Sequence, residues 1–211
     1  MNPLKFVAIV ALVAAQVCPV LAQVPDDNEG FSLVKEKDNI SIYERWRFFP
    51  KTDPPVEARE VKGVFYAKTD FKEALALLKD EKQIQDWQSH VSKFKVYPQS
   101  DTTWFEYSYH DIPWPVSDQD HFLIYKKQYE SQDTVYVTFE SIVNDKLAPV
   151  DEDADRMRLA GSWLFEKQKD KVRITYRIYS YPSSIPRIFT DPVIRSNMMS
   201  TIKAYIKIVE K

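Results

Sequence analysis

The side chains best suited to chemistry in this sequence are one carboxylate set among aromatics, three histidines and a tyrosine. Glu106 lies in a run, 102–110, in which Trp104, Glu106, Ser108 and His110 alternate with Phe105, Tyr107 and Tyr109. His121 and Tyr125 lie in the next such run, 121–129. A carboxylate and an imidazole can exchange protons, and a carboxylate beside a phenol can hold a guest's hydroxyl by hydrogen bonds. Glu106, His110 and His121 are therefore the candidates for acid–base work, and no nucleophile motif accompanies them. Glu106 and Tyr125 are the candidates for the polar end of a binding site. His90, His110 and His121 lack the spacing of a metal site, and no cofactor is expected.

Composition excludes several classes. Only three glycines occur, Gly30, Gly63 and Gly161, so the Gly-rich loops that cradle phosphate are absent. The formal charge is −2 with both signs interspersed, which gives no strongly basic face for nucleic acid. At the N-terminus, Lys5 precedes an apolar run over 6–15 that is too short to span a bilayer, and Val20-Leu21-Ala22 offers small residues for cleavage. Residues 1–22 read as a signal peptide and 23–211 as one exported domain, periplasmic or secreted. Cleavage would remove Cys18, the only cysteine, and with it any disulfide or thiol nucleophile.

These side chains need elements to position them. Strand-like runs cover 31–37, 39–49 and 57–67, the first two joined at the turn pair Asp38-Asn39. Asp70, with Glu73 three residues on, caps a helix, and a second short helix follows over 80–87. Five further strands are expected over 91–97, 102–110, 121–129, 134–143 and 156–166, then a last one over 171–180. In these, Val135, Val137 and Phe139, then Met157, Leu159, Gly161, Trp163 and Phe165, then Val172, Ile174, Tyr176 and Ile178 each share a face. This alternation describes an antiparallel sheet with one buried face. The acidic linker 144–155 reads as a solvated loop. Asp191-Pro192 signals the start of a long terminal helix with Ile194, Met198, Thr201, Ile202, Tyr205 and Val209 on one stripe.

The runs holding Glu106 and Tyr125 are joined by Pro113-Trp114-Pro115-Val116-Ser117-Asp118-Gln119-Asp120. Two prolines exclude the middle of a strand, and Ser and Asp favour tight turns, so this is a shaped loop with a large apolar side chain at its tip. Trp114 either plugs the core or serves a site. A curved sheet covered by one helix, about 10–12 Å wide, leaves a concavity. Either the many aromatic residues fill it or a cavity remains for an apolar guest.

The order of elements together with this loop resembles the StAR-related lipid-transfer (START) family. Asp80 with Trp87 resembles the family's upstream helical pair, and Ile185-Pro186 matches the segment before its last helix. The resemblance covers nearly all of the mature chain. It implies an α+β helix-grip fold, a curved antiparallel sheet wrapped around a long C-terminal helix, with two short helices inserted after the third strand. It also implies noncatalytic binding of one lipid or hydrophobic molecule by a monomer that touches membranes transiently, with the terminal helix and the loop as a lid. Trp104, Glu106, Trp114, Tyr125, Trp163, Met198 and Ile202 are the ligand-binding candidates. The alternative is an enzyme on the same scaffold, aromatase/cyclase-like or hydrolytic. There are departures. The family often has Arg-Asp where Gln119-Asp120 stands. Some sterol-binding members pair an acid near the position of Glu106 with an arginine near that of Tyr125. That ion pair is incomplete here, so their ligand preference does not carry over. Hydrophobicity alone would bury Phe105, Tyr107 and Tyr109, whereas the resemblance would turn Glu106 inward.

Overall fold

A computed structural model describes residues 28–114, 117–181 and 187–211. The expected leader over 1–22, Pro115 and Val116 of the loop, and Ile185-Pro186 lie outside the described residues. The chain runs β1 (Ser32–Lys37), β2 (Ile40–Phe48), β3 (Glu57–Ala67), α1 (Phe71–Leu77), α2 (Ile84–Trp87), β4 (Val91–Pro98) and β5 (Thr103–His110). It continues β6 (Asp118–Glu130), β7 (Thr134–Ser141), β8 (Ala154–Arg156), β9 (Leu159–Gln168), β10 (Lys171–Ser180) and α3 (Arg187–Val209). One sheet holds all the strands, in the order β1-β2-β3-β10-β9-β7-β6-β5-β4, with β8 set beside β6.

Local chemistry accounts for the corners. Asp38 and Asn39 both take positive φ, 55° and 60°, the conformation that a two-residue hairpin needs. The Asp70 carboxylate accepts the Glu73 N–H at 2.8 Å and caps α1. Asp80 accepts from the N–H of Lys82 and from the Gln83 side chain, so 80–83 forms a turn and α2 is confined to its last four residues.

Three expectations change. The run expected over 156–166 is two strands, because the chain switches neighbours within it. Met157 N–H donates to the Asp120 carbonyl at 2.8 Å, while Arg158 carbonyl accepts from Tyr181. The first piece, β8, pairs parallel to β6, so the sheet is not wholly antiparallel. The terminal helix begins at Arg187 rather than after Asp191, with Pro192 in its second turn. The proline's fixed φ suits a helix, and its missing N–H costs one backbone bond there. The linker is not simply solvated: Ala148 is buried, and the carbonyls of Leu147, Ala148 and Pro149 accept from Tyr97 or Arg156.

The core lies between the concave face and α3. Val61, Phe65, Val137, Trp163, Phe165 and Ile174 meet Met198, Met199, Ile202, Tyr205 and Val209. Each such side chain contributes about 1.5–3 kcal/mol on burial. Gly63 makes the close approach possible: a Cβ there would stand 2.4 Å from Ile202 Cδ1. Tyr205 hydroxyl donates to the Ala74 carbonyl at 2.6 Å, tying α3 to α1. Arg195 grips Glu44 of β2 through two bonds of 3.0 and 2.8 Å. Among the described residues no helix is long and apolar enough to cross a membrane.

Candidate ligand cavity

Rings fill one half of the concavity and leave the other open. Tyr205 packs edge-on against Phe65 and Trp87 at 5.9 and 5.3 Å, and Trp163 lies 5.5 Å from Tyr205. These close the space under the C-terminal half of α3. Under its N-terminal half, bounded by Ile194, Met198 and Thr201, a cavity of about 260 Å³ remains. Its sheet wall includes Leu123, Phe139, Leu159 and Tyr176, and Ile112 of the β5–β6 loop lies on its border.

The register of the β5–β6 hairpin explains which side chains reach it. Glu106 pairs with Leu123, Trp104 with Tyr125 and Ser108 with His121, so these six share the concave face. Tyr125 and His121 therefore flank the partner of Glu106 on either side. Glu106 is almost wholly buried, at 2% exposure. Phe105 and Tyr107 are only half-buried on the other face, and Tyr109 is buried there. Alternation in β5 misleads because both faces are covered, the convex side in part by the 144–156 segment.

Glu106 has a second partner besides the expected Tyr125. His121 Nε2 stands 3.1 Å from Glu106 Oε1, with both side chains buried. Among the described residues His121 Nδ1 has no hydrogen-bond partner. Tyr125 also interacts with this carboxylate. Burial first, then the Glu106 charge, pushes its hydroxyl well above the ordinary tyrosine range, and both act on Tyr176 in the same way. His110 lies beside them, 5.3 Å from His121 between ring centroids, and bonds Ser108 Oγ at 3.0 Å. Burial, then the His121 and His90 charges, drives His110 down to about 3 against a hydrogen bond to the Ser89 backbone, so it is neutral at physiological pH. No lysine or arginine borders the cavity among the described residues.

The sequence candidates divide accordingly. Glu106, Tyr125 and Met198 line the cavity. Trp104 does not: it is buried beyond Tyr125, stacked on that ring at 4.9 Å, with Lys79 Nζ over it at 4.1 Å. Trp163 belongs to the ring cluster, 4.1 Å from Tyr176, and Ile202 sits over Gly63. Trp114 is 91% exposed, so it is neither a core plug nor a cavity wall. Its loop is held at the base instead. Asp118 accepts from Tyr109 hydroxyl and Ile112 N–H at 3.1 and 2.9 Å, and Asp120 accepts two bonds from Arg156 at 2.6 and 2.8 Å. Sequence reasoning missed Arg156 as the partner of Asp120 and His121 as that of Glu106. The hairpin register carries the second signal.

A second hollow, about 350 Å³, lies on the convex face beneath Pro50. Its polar side chains largely satisfy one another, as in Lys51 with Glu140 and Gln128 with Thr138 at 2.8 Å. The concave cavity, with Leu123, Phe139, Leu159 and Met198 beside the buried Glu106 and His121 and with the exposed His90 and Asn197 on its border, is the candidate site. Among the described residues no group of acids and histidines is arranged to hold a metal.

No protein-family model and no curated protein matches the sequence. Solved structures do. A STAR-related lipid transfer protein from Xanthomonas axonopodis is 23% identical, over 87% of this chain and all of that one, with a TM-score of 0.73. Human StAR-related lipid transfer protein 5 is 14% identical, over 87% of this chain and 88% of that one, at 0.69. The Zhui aromatase/cyclase from Streptomyces is 9% identical, over 72% and 94%, at 0.54. The chain thus has the helix-grip fold of the STAR-related lipid transfer domains.

Proposed function

We propose that this protein binds one lipid or other hydrophobic molecule, without catalysis, in the cavity between α3 and the concave face of the sheet. The observation that carries the reading is the cavity itself: apolar side chains of the sheet and of α3 facing one another beside buried polar groups, in a fold shared with lipid transfer proteins. The charged leader over 1–22 supports export before binding, to a periplasmic or extracellular space. Trp114 supports brief membrane contact by a monomeric carrier: it is exposed on the loop two residues beyond Ile112, and tryptophan favours the interface between water and lipid. Native mass spectrometry of the chain recovered from the exported fraction tests this. A stoichiometric hydrophobic passenger, and an N-terminus near Gln23, are expected. Full-length chain retained in the membrane fraction contradicts export, and an empty protein that takes up no lipid contradicts the carrier.

One observation favours a second reading. Glu106 and His121 form a proton-exchanging pair at the cavity, and an aromatase/cyclase shares the fold. An enzyme would lose turnover in Glu106→Gln while still binding its substrate, whereas a carrier would show no turnover to lose.

A further inference from the structure

The convex face carries a transverse row of side chains that the concave cavity does not use. Strand pairing sets Lys62 beside Arg177, Arg177 beside Ser162, Ser162 beside Thr138 and Thr138 beside Lys126, from β3 across β10, β9 and β7 to β6. Ser162 and Thr138 are short side chains between long ones, so the row dips in its middle and gives the hollow beneath Pro50 its floor. The acids of this trough are engaged, Glu60 with Arg45 and Glu140 with Lys51. Its cations are not: among the described residues Arg177 bonds an amide oxygen rather than a carboxylate, and Lys126 has no ion pair. Two cations without acids favour an acidic occupant.

The chain itself supplies one. Asn28 lies at the head of the row, where its side-chain oxygen accepts from Lys62 Nζ and from Arg177, at 3.1 Å each. The Glu29 carbonyl accepts from Arg45 at 2.7 Å, and Lys62 Nζ stands over the Phe31 ring at 3.9 Å. The chain upstream of Asn28 therefore departs from this face, beside Arg177. Between the expected leader and Asn28 stand Gln23-Val24-Pro25-Asp26-Asp27, with two acids and no lysine or arginine. A proline holds the residue before it extended, and five extended residues reach about 17 Å. Three strand spacings, from Arg177 on β10 to Lys126 on β6, come to about 14 Å.

We infer that the convex trough is the docking site of the chain's own mature N-terminal arm, residues 23–27, laid across the strands along this row. Asp26 and Asp27 fall between Arg177 and Lys126, and Val24 falls near Thr138. The chain from Gln23 onward has no cysteine, so introduced thiols report on the arm alone. In that chain, Val24→Cys with Thr138→Cys should close an intramolecular disulfide under mild oxidation, which requires the two positions to meet. Val24→Cys with Tyr43→Cys should not. Tyr43 stands on the same row beyond Lys62, as many strands from Arg177 as Thr138 is, in the opposite direction. With Thr138→Cys as the single thiol, adding Asp26→Asn and Asp27→Asn should speed its reaction with a maleimide about fivefold, because the arm loses its charge pairing. An equal or greater yield with Tyr43→Cys, disulfide-linked dimers in place of the intramolecular bond, or a labelling rate that the two asparagines leave unchanged each overturns the inference. None of these readouts involves the concave cavity, so failure here leaves the carrier reading standing.

Discussion

His110 makes stability depend on acid in a way that can be worked from the structure. Its ring is half-buried, bonded to Ser108, and held at about 3 in the fold by burial first and then by the neighbouring His121 and His90, against an ordinary 6.5. A histidine whose folded value is depressed refuses a proton that the unfolded chain accepts. Above pH 6.5 neither state binds it and nothing is lost. As pH falls from 6.5 toward 3, the unfolded state gains the proton and stability declines, at up to about 1.4 kcal/mol per pH unit. By pH 4 the full linkage would be about 3 kcal/mol, and partial exposure of the ring reduces this to roughly 2 kcal/mol. His110→Gln keeps a partner for Ser108 but does not titrate. Urea unfolding of both proteins at pH 7, 6, 5 and 4 measures the difference, and the other ionisable groups largely cancel in it. The native protein's advantage should shrink by about 2 kcal/mol between pH 7 and pH 4. Parallel stability curves for the two proteins would refute the buried neutral histidine.

Three substitutions test the packing and the loop. Gly63→Ala drives a Cβ against Ile202 and should cost about 1–3 kcal/mol in chemical denaturation, with ligand uptake preserved in the folded fraction. Tyr205→Phe keeps the ring contacts but leaves the Ala74 carbonyl buried without its donor, so the melting curve should report a loss of about 1–2 kcal/mol. Trp114→Ala removes an exposed side chain and should change stability by no more than about 0.5 kcal/mol, while weakening sedimentation with lipid vesicles.

Most of the framework was legible because the local rules agree with one another. The Glu57–Ala67 strand, the Asp70 cap and the Asp38-Asn39 turn follow directly from residue type. The stripe Met198, Ile202, Tyr205 and Val209 is buried as its spacing requires. Failures came where distant segments intervene. The 144–156 segment covers part of the convex face, so the inward side of β5 could not be read from hydrophobicity. The break between β8 and β9 depends on Asp120, whose carbonyl and carboxylate engage Met157 and Arg156, far along the chain. The helix starts at Arg187, ahead of the cap signal at Asp191-Pro192, and Pro192 leaves one carbonyl of the first turn without its usual helical donor.

The site shows the same division. Once Glu106 is placed opposite Leu123, the two residues beside Leu123 on the same face are fixed as His121 and Tyr125. Both reach the carboxylate, and the sequence offered only one of them as its partner. The aromatic residues could not be sorted in this way, since filling the concavity and lining a cavity demand the same chemistry. Their place along α3 separates the roles. Trp163, Trp87 and Phe65 gather around Tyr205, whose hydroxyl is spent on Ala74, and they seal the C-terminal half. Toward the N-terminal half the helix presents Ile194, Met198 and Thr201 instead of large rings, opposite the Glu106–His121 pair. Filled core and open cavity are thus consecutive stretches of one helix face, and the switch from Tyr205 to Met198, two turns apart, sets how much room a guest has.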